Sequence, residues 1–259
     1  MPFIQAGDLR VHYTLAGPEG APVVVLSHSL GADLSMWDPQ VPALEGAFRV
    51  LRYDGRGHGQ TMVTPGPCTI ADLGEDILRL LDALDLKSVH FCGLSIGGLI
   101  GMWLGANAPQ RIAKLVLSNT APRIGTAETW NARIQKVRSE GMAAIAPAVV
   151  ERWFTPEFRE RSPEVVASAL RTLAATSPEG YVASCAAVRD ADERGEIGRV
   201  RAPTLVVAGS RDPATTPADG RLLAERIAGA RYVELPASHL SNLEAPERFN
   251  AELARFLRQ

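Results

Sequence analysis

The chain has 259 residues, 46% hydrophobic and 22% charged, with a formal net charge of −2 at pH 7. This length allows one large domain with a sizeable core, and the near-neutral charge argues against nucleic-acid or anionic-membrane binding. No apolar run reaches the ~18–20 residues that span a bilayer, and the N-terminus lacks a signal-peptide pattern, so we expect a cytoplasmic protein. Cys68, Cys92 and Cys185 have no metal-ligand spacing, so we expect their thiols to be reduced.

The predicted strands begin with an alternating segment in which Leu9, Val11 and Tyr13 are separated by polar residues. His12 falls on the polar face of this strand, and we expect it to be solvated. The later apolar runs are short and mostly continuous, which is typical of parallel strands covered on both faces. These runs are Val23–Leu26, Val50–Tyr53, Val89–Cys92, Leu115–Leu117, Leu205–Val207 and Tyr232–Leu235.

Helical patterns alternate with these strands. Thr69 and Asp72 form a predicted capping box at the start of one helix, and Pro217 and Pro246 are predicted first-turn prolines of two later helices. Alternating strands and helices of this kind predict an α/β fold with a mostly parallel, doubly wound sheet.

The alternation stops between about Pro122 and Gly198, a stretch rich in Ala, Arg and Glu with helical spacing and no convincing strand. We therefore expect one core, formed by residues 1–121 and 199–259, that is interrupted by a helical cap at residues 122–198.

The segment Gly93–Gly97 carries the strongest chemical signal in the chain. It follows a predicted strand, reads Gly-Leu-Ser-Ile-Gly, and leads into a predicted helix. Glycines two residues before and after Ser95 allow a sharp strand-to-helix turn that exposes the serine hydroxyl as a nucleophile. Because a hydroxyl needs a base to remove its proton, the motif predicts a histidine and a carboxylate later in the chain.

Asp212 and His239 meet this expectation, since each follows a late predicted strand in the order serine, acid, histidine. The competing bases, His28 and His58, lie in earlier turns, where a role in bracing the backbone is the preferred interpretation. The other late carboxylates lie on presumed helix or strand faces: Asp219, Glu225 and Glu234. Asp212 is therefore predicted to hold the His239 ring in one tautomer.

Acyl transfer also requires donors for the oxyanion that forms at the attacked carbonyl. The backbone N–H of Ile96, directly after the serine, is one predicted donor. The N–H of Leu30, in the loop after the Val23–Leu26 strand, is the other.

Four segments resemble, in order and spacing, landmarks of the α/β-hydrolase family. They are Asp54-Gly-Arg-Gly-His-Gly, Gly93-Leu-Ser-Ile-Gly-Gly, Gly209-Ser-Arg-Asp212 and Ala237-Ser-His239. Within that family the chain resembles the 3-oxoadipate enol-lactonases of bacterial aromatic-acid degradation. The segments Ser29–Trp37, Arg152–Phe158 and Glu179–Cys185 carry this narrower resemblance.

The resemblance implies hydrolysis of a lactone that bears a carboxylate, through Ser95 and an acyl-enzyme, with no metal or organic cofactor. A small-ester carboxylesterase, a cofactor-free haloperoxidase or perhydrolase, and a non-catalytic ligand-binding protein of the same fold remain as alternatives, because fold alone does not decide function.

A substrate carboxylate that takes no part in ring opening needs a cationic partner, and a planar arginine suits this role. Arg133 is the predicted partner, because it lies three residues after Trp130 on a helical pattern and the two can share a face. Trp153 is predicted to form an apolar wall against the lactone ring. Arg138 and Tyr181 also fall in the predicted cap and could face the same pocket. The alternative to facing the pocket is packing against the core for an aromatic residue and a solvated surface for an arginine.

Overall fold

A computed structural model describes residues 2–259 and contains an eight-stranded sheet with the order β1-β2-β4-β3-β5-β6-β7-β8. The strands are β1 (Phe3–Ala6), β2 (Leu9–Ala16), β3 (Val23–Ser27), β4 (Arg49–Tyr53), β5 (Val89–Leu94), β6 (Ile112–Ser118), β7 (Thr204–Gly209) and β8 (Arg231–Leu235). Strand β2 pairs antiparallel with both β1 and β4. All the other pairings, along the spatial order β4-β3-β5-β6-β7-β8, are parallel. The predicted α/β class with a mostly parallel sheet is confirmed.

The helices outside the segment between β6 and β7 are α1 (Val41–Leu44), α2 (Ile70–Ala83), α3 (Ile96–Asn107), α9 (Pro217–Arg226), α10 (Ser241–Glu244) and α11 (Pro246–Arg258). Of these, α2, α3, α9 and α11 begin where the sequence predicts. Thr69 and Asp72 form the capping box of α2, and prolines occupy the first turns of α9 and α11. No helix within residues 2–259 combines the length and the apolar character that crossing a bilayer requires.

Five helices and no strand lie between β6 and β7. They are α4 (Ala127–Glu140), α5 (Ala146–Trp153), α6 (Pro156–Arg161), α7 (Pro163–Ala175) and α8 (Pro178–Asp190). Helix α8 packs against the loops that follow β3 and β4: the Tyr181 ring lies against Gly31, and Gly180 lies against Gly57. Helix α5 contacts the loop after β8, where the Leu240 N–H donates to the Trp153 carbonyl. These helices therefore cover the carboxyl edge of the sheet.

The expectation that His12 is solvated is wrong. Its side chain is buried, and its Nδ1 lies 2.6 Å from Asp54 Oδ2. Strand β1, which the alternating pattern does not reveal, pairs with β2 and brings the Phe3 ring to 5.2 Å from the His12 ring. A position on the polar face of a strand is thus covered by an edge strand and by the loop after β4.

Candidate active site

Ser95 lies at the junction between β5 and α3, in a conformation that residues other than glycine rarely adopt, with φ 60° and ψ −116°. Neighbouring strands hold this turn: the Ser95 N–H donates to the Ser118 carbonyl at 3.0 Å, and the Thr120 hydroxyl donates to the Ser95 carbonyl at 2.8 Å. A Cβ atom on Gly93 would lie 2.0 Å from the Gly97 carbonyl oxygen. The two glycines therefore allow the close crossing that the Gly-x-Ser-x-Gly pattern predicts.

We expect Gly93→Ala to lower the free energy of unfolding by about 3 kcal/mol or more, because the new methyl group meets backbone atoms that cannot move away. Urea titration measures this change. Gly46→Ala is the matched control, since Gly46 is exposed and a Cβ there has no neighbour within 4 Å. Equal stability of the two variants would contradict the tight crossing.

His239 and Asp212 form a hydrogen-bonded pair, with His239 Nδ1 2.8 Å from Asp212 Oδ2. Two further side chains donate to the same carboxylate oxygen, Asn119 at 3.0 Å and Thr215 at 2.7 Å. The backbone N–H groups of Ala214 and Thr215 donate to the other oxygen, Oδ1. Five donors thus engage the carboxylate, three at Oδ2 and two at Oδ1.

Burial alone would raise the pKa of Asp212. The adjacent His239 and the donors Asn119 and Thr215 outweigh the burial and lower this pKa to about 2. Asp212 is therefore ionised at neutral pH and accepts a hydrogen bond from His239 Nδ1–H, which selects the ring tautomer whose lone pair lies on Nε2.

Ser95 and His239 line one cavity of about 270 Å³. Within residues 2–259 no hydrogen bond joins the Ser95 hydroxyl to the His239 ring. In enzymes without substrate such contacts are often long and tighten only when substrate binds. The shared cavity places nucleophile and base candidates against the same space.

One predicted oxyanion donor follows Ser95 in the chain, and the other lies in the cavity that Ser95 lines. Ile96 begins α3, so its N–H is one of the first-turn groups that has no partner inside the helix. Leu30 lines the same cavity as Ser95. Within the described residues neither amide donates a hydrogen bond to another protein group, so both are available to a ligand.

The three predicted cap residues line this cavity as well. Trp130 and Trp153 are buried, and Arg133 is half-buried with its guanidinium carbon 4.6 Å from the Trp130 ring centre. The Trp130 ring is itself fixed, because its Nε1 donates to the Ile124 carbonyl at 2.6 Å. Arg138, on the same helix, is exposed and does not line the cavity.

Two more side chains line the cavity and add to its polarity. Desolvation and the neighbouring charge of Arg133 lower the pKa of Arg152. Tyr181 is fully buried, and its hydroxyl has no hydrogen-bond partner among residues 2–259. None of the described lining residues is a carboxylate, and neither arginine forms an ion pair within the described chain. The cavity is therefore suited to an anionic ligand.

Asn119 and Thr215 are the site residues that the sequence analysis misses. Asn119 adopts φ 43° directly after β6, and Thr215 follows Asp212 by three residues. The polar run Ser118-Asn119-Thr120 at the carboxyl end of a predicted strand is a signal that could have identified the first of them.

Comparison with known proteins agrees with this architecture. The chain is 43% identical to 3-oxoadipate enol-lactonase 2 of Acinetobacter baylyi over 247 residues, which cover 95% of this chain and 92% of that protein. The crystal structure of the enol-lactonase from Burkholderia xenovorans LB400 matches with a TM-score of 0.98 and 48% identity over the full length of both chains. A thermophilic esterase from Thermogutta terrifontis, solved with malate bound, matches with a TM-score of 0.92 and 27% identity, covering 99% of this chain and 97% of that one.

A family model described as alpha/beta hydrolase fold matches residues 22–246. This range includes Ser95, Asp212 and His239, as well as the strands that position them. The chain belongs to the α/β-hydrolase family.

Proposed function

We propose that this protein hydrolyses 3-oxoadipate enol-lactone to 3-oxoadipate, with Ser95 as nucleophile, His239 as base and Asp212 as the group that orients His239. The observation that carries this proposal is one cavity that combines Ser95 and His239 with two arginines and no lining carboxylate among the described residues. The similarity to two enol-lactonases over nearly the whole chain supports the same substrate.

In the first step the Ser95 oxygen attacks the ring carbonyl while His239 Nε2 takes the hydroxyl proton. Asp212 accepts the Nδ1–H of His239 and stabilises the imidazolium that forms. The amides of Leu30 and Ile96 donate to the oxyanion, which gains charge as the carbonyl becomes tetrahedral.

Collapse of this intermediate breaks the bond between the carbonyl carbon and the ring oxygen. The leaving enolate stays attached to the acyl-enzyme and takes the proton that His239 received from Ser95, so it becomes the ketone of the product and His239 is neutral again. His239 then removes a proton from water, which attacks the ester of Ser95. Collapse of the second tetrahedral intermediate releases 3-oxoadipate, and His239 returns its proton to the Ser95 oxygen. The proposed residues complete this cycle without a metal or an organic cofactor.

We assign residues 122–198 as the cap and propose that its arginines bind the carboxylate that does not react. Arg133 is held over Trp130 by a cation–π contact, so less side-chain freedom is lost when it binds an anion. Trp153 provides the apolar wall of the same cavity. The mutual repulsion of Arg133 and Arg152 is relieved when an anion binds between them.

We expect Arg133→Ala to lower kcat/KM for the enol-lactone about 10- to 100-fold, because a charge-assisted contact to carboxylate contributes about 1.5–3 kcal/mol. Hydrolysis of an uncharged aryl acetate should change little. Arg138→Ala is the matched control, being an exposed arginine on the same helix that does not line the cavity. Equal losses on both substrates would indicate a structural role, and no loss on either would transfer the assignment to Arg152.

A small-ester carboxylesterase is the second candidate, because the esterase from Thermogutta terrifontis shares the fold at 27% identity. Parallel measurement of kcat/KM on the enol-lactone and on phenyl acetate separates the two functions. We expect the lactone to be the better substrate and 3-oxoadipate to be its product. Preference for phenyl acetate, with negligible lactone hydrolysis, would favour the esterase.

A further inference from the structure

Two buried histidines that the proposed mechanism does not use lie beside the oxyanion loop, Ser29–Gly31. His28 and His58 are 5% and 3% exposed, and their ring centres are 5.2 Å apart. Buried imidazoles need hydrogen-bond partners for both ring nitrogens, and these partners fix the tautomer of each ring.

His58 contacts the oxyanion loop through Nε2, the ring nitrogen farther from its own backbone. The Gly31 N–H donates to His58 Nε2 at 3.0 Å, so that nitrogen is an acceptor and the proton lies on Nδ1, which donates to the Arg56 carbonyl at 3.1 Å. Burial and the neighbouring His28 lower the pKa of His58 to about 3, so the ring stays neutral and keeps its acceptor at neutral pH.

His28 contacts the same loop through Nδ1, the ring nitrogen nearer to its own backbone. The Gly55 N–H donates to His28 Nε2 at 2.8 Å, so Nδ1 carries the proton and donates to the Ser29 carbonyl at 2.8 Å. That carbonyl belongs to the peptide unit whose N–H is the Leu30 amide. In a planar trans peptide the C=O and N–H point in opposite directions, so holding the Ser29 oxygen sets the direction of the Leu30 N–H.

From these contacts we infer that His28 and His58 are positioning residues that together hold the Leu30 N–H towards the carbonyl attacked by Ser95. His28 fixes the peptide unit that carries this N–H, and His58 fixes the next peptide unit through Gly31. Gly31 itself has φ 80° and lies in a turn in which the Ala32 N–H also donates to the Ser29 carbonyl, at 3.0 Å, so His28 is the second donor to that oxygen. The inference rests on the proposed function, because it assigns these rings to the oxyanion step of that reaction.

His28 holds the loop through Nδ1, whereas His58 holds it through Nε2. This difference allows a test with a matched pair of variants at each histidine. Asparagine places its amide close to the position of Nδ1, and glutamine reaches towards that of Nε2. His28→Asn and His58→Gln therefore retain the contact to the oxyanion loop, whereas His28→Gln and His58→Asn lose it. A purely structural role for the two rings predicts no such crossed pattern.

The readout compares two ligands. Phenylboronic acid accepts the Ser95 oxygen at boron and forms a tetrahedral anion, with the serine proton passing to His239, so its affinity depends on the oxyanion donors. Adipate carries carboxylates but forms no bond to Ser95. For His28→Gln and His58→Asn we expect boronate affinity and kcat to fall about 10- to 100-fold, while adipate affinity and KM stay within about twofold. His28→Asn and His58→Gln should stay within about fivefold of the unmodified protein in all four quantities.

Losses that are equal within each pair, or equal for boronate and adipate, would overturn the inference. If one variant fails to fold, the pair at the other histidine decides alone. Ser95→Ala separates this result from the proposed function. Boronate binding that survives Ser95→Ala would contradict the nucleophile, whereas binding that needs Ser95 but ignores both histidine pairs would contradict only their positioning role.

Discussion

Ser95→Ala should abolish nearly all lactone hydrolysis, with a loss of ~10⁴-fold or more in kcat, because no other group in the cavity replaces the attacking oxygen. The backbone at position 95 keeps its φ of 60° in both forms, since alanine and serine meet the same Cβ strain. The melting temperature should therefore stay within a few degrees. Steady-state kinetics and thermal unfolding measure the two effects separately.

Ser210→Ala is the control for this experiment, since Ser210 is an exposed serine just after β7 and does not line the cavity. It should retain activity within about twofold, as is usual for surface substitutions. Near-normal turnover by Ser95→Ala would exclude the assigned nucleophile.

His239 and Asp212 should behave as one unit with Ser95. We expect the double variant Ser95→Ala/His239→Ala to be scarcely less active than either single variant, because neither residue contributes without the other. Asp212→Asn should lose ~10³- to 10⁴-fold in kcat, since an amide can donate to His239 Nδ1 and so stabilise the wrong tautomer.

Thr215→Val is a milder change at the same carboxylate than Asp212→Asn. It removes the 2.7 Å hydrogen bond to Asp212 Oδ2 but leaves the carboxylate in contact with His239 and Asn119. We expect a loss of about tenfold, well short of that of Asp212→Asn. Additive losses in the double variant, or a fully active Asp212→Asn protein, would contradict the proposed unit.

The strand-to-helix turn at Ser95 and the sheet could be predicted because their causes are local in the sequence. Gly93 and Gly97 are required by the backbone crossing itself, and the continuous apolar runs reflect burial on both faces of parallel strands. Likewise, Thr69 and Pro217 act within a few residues of the helix ends that they mark.

The missed features depend on contacts between distant parts of the chain. His12 is buried because Phe3 and Asp54 cover it from two other segments, which the period of one strand cannot reveal. Asn119 reaches Asp212 across 93 residues, and Tyr181 approaches Arg133 from another helix, α8. The burial of His12 and the approach of Asn119 to Asp212 can be recognised only when the order of the strands in the sheet is known.

The link between Ser95 and lactone hydrolysis can be tested most directly by titrating the unmodified protein with a fluorophosphonate, which loses fluoride to an activated serine. We expect the enol-lactone activity to fall in proportion to the label incorporated and to reach zero when each chain carries a single label, located on Ser95 by peptide mass spectrometry. Full lactone hydrolysis by protein labelled completely at Ser95, or loss of activity with the label on another residue, would contradict the account.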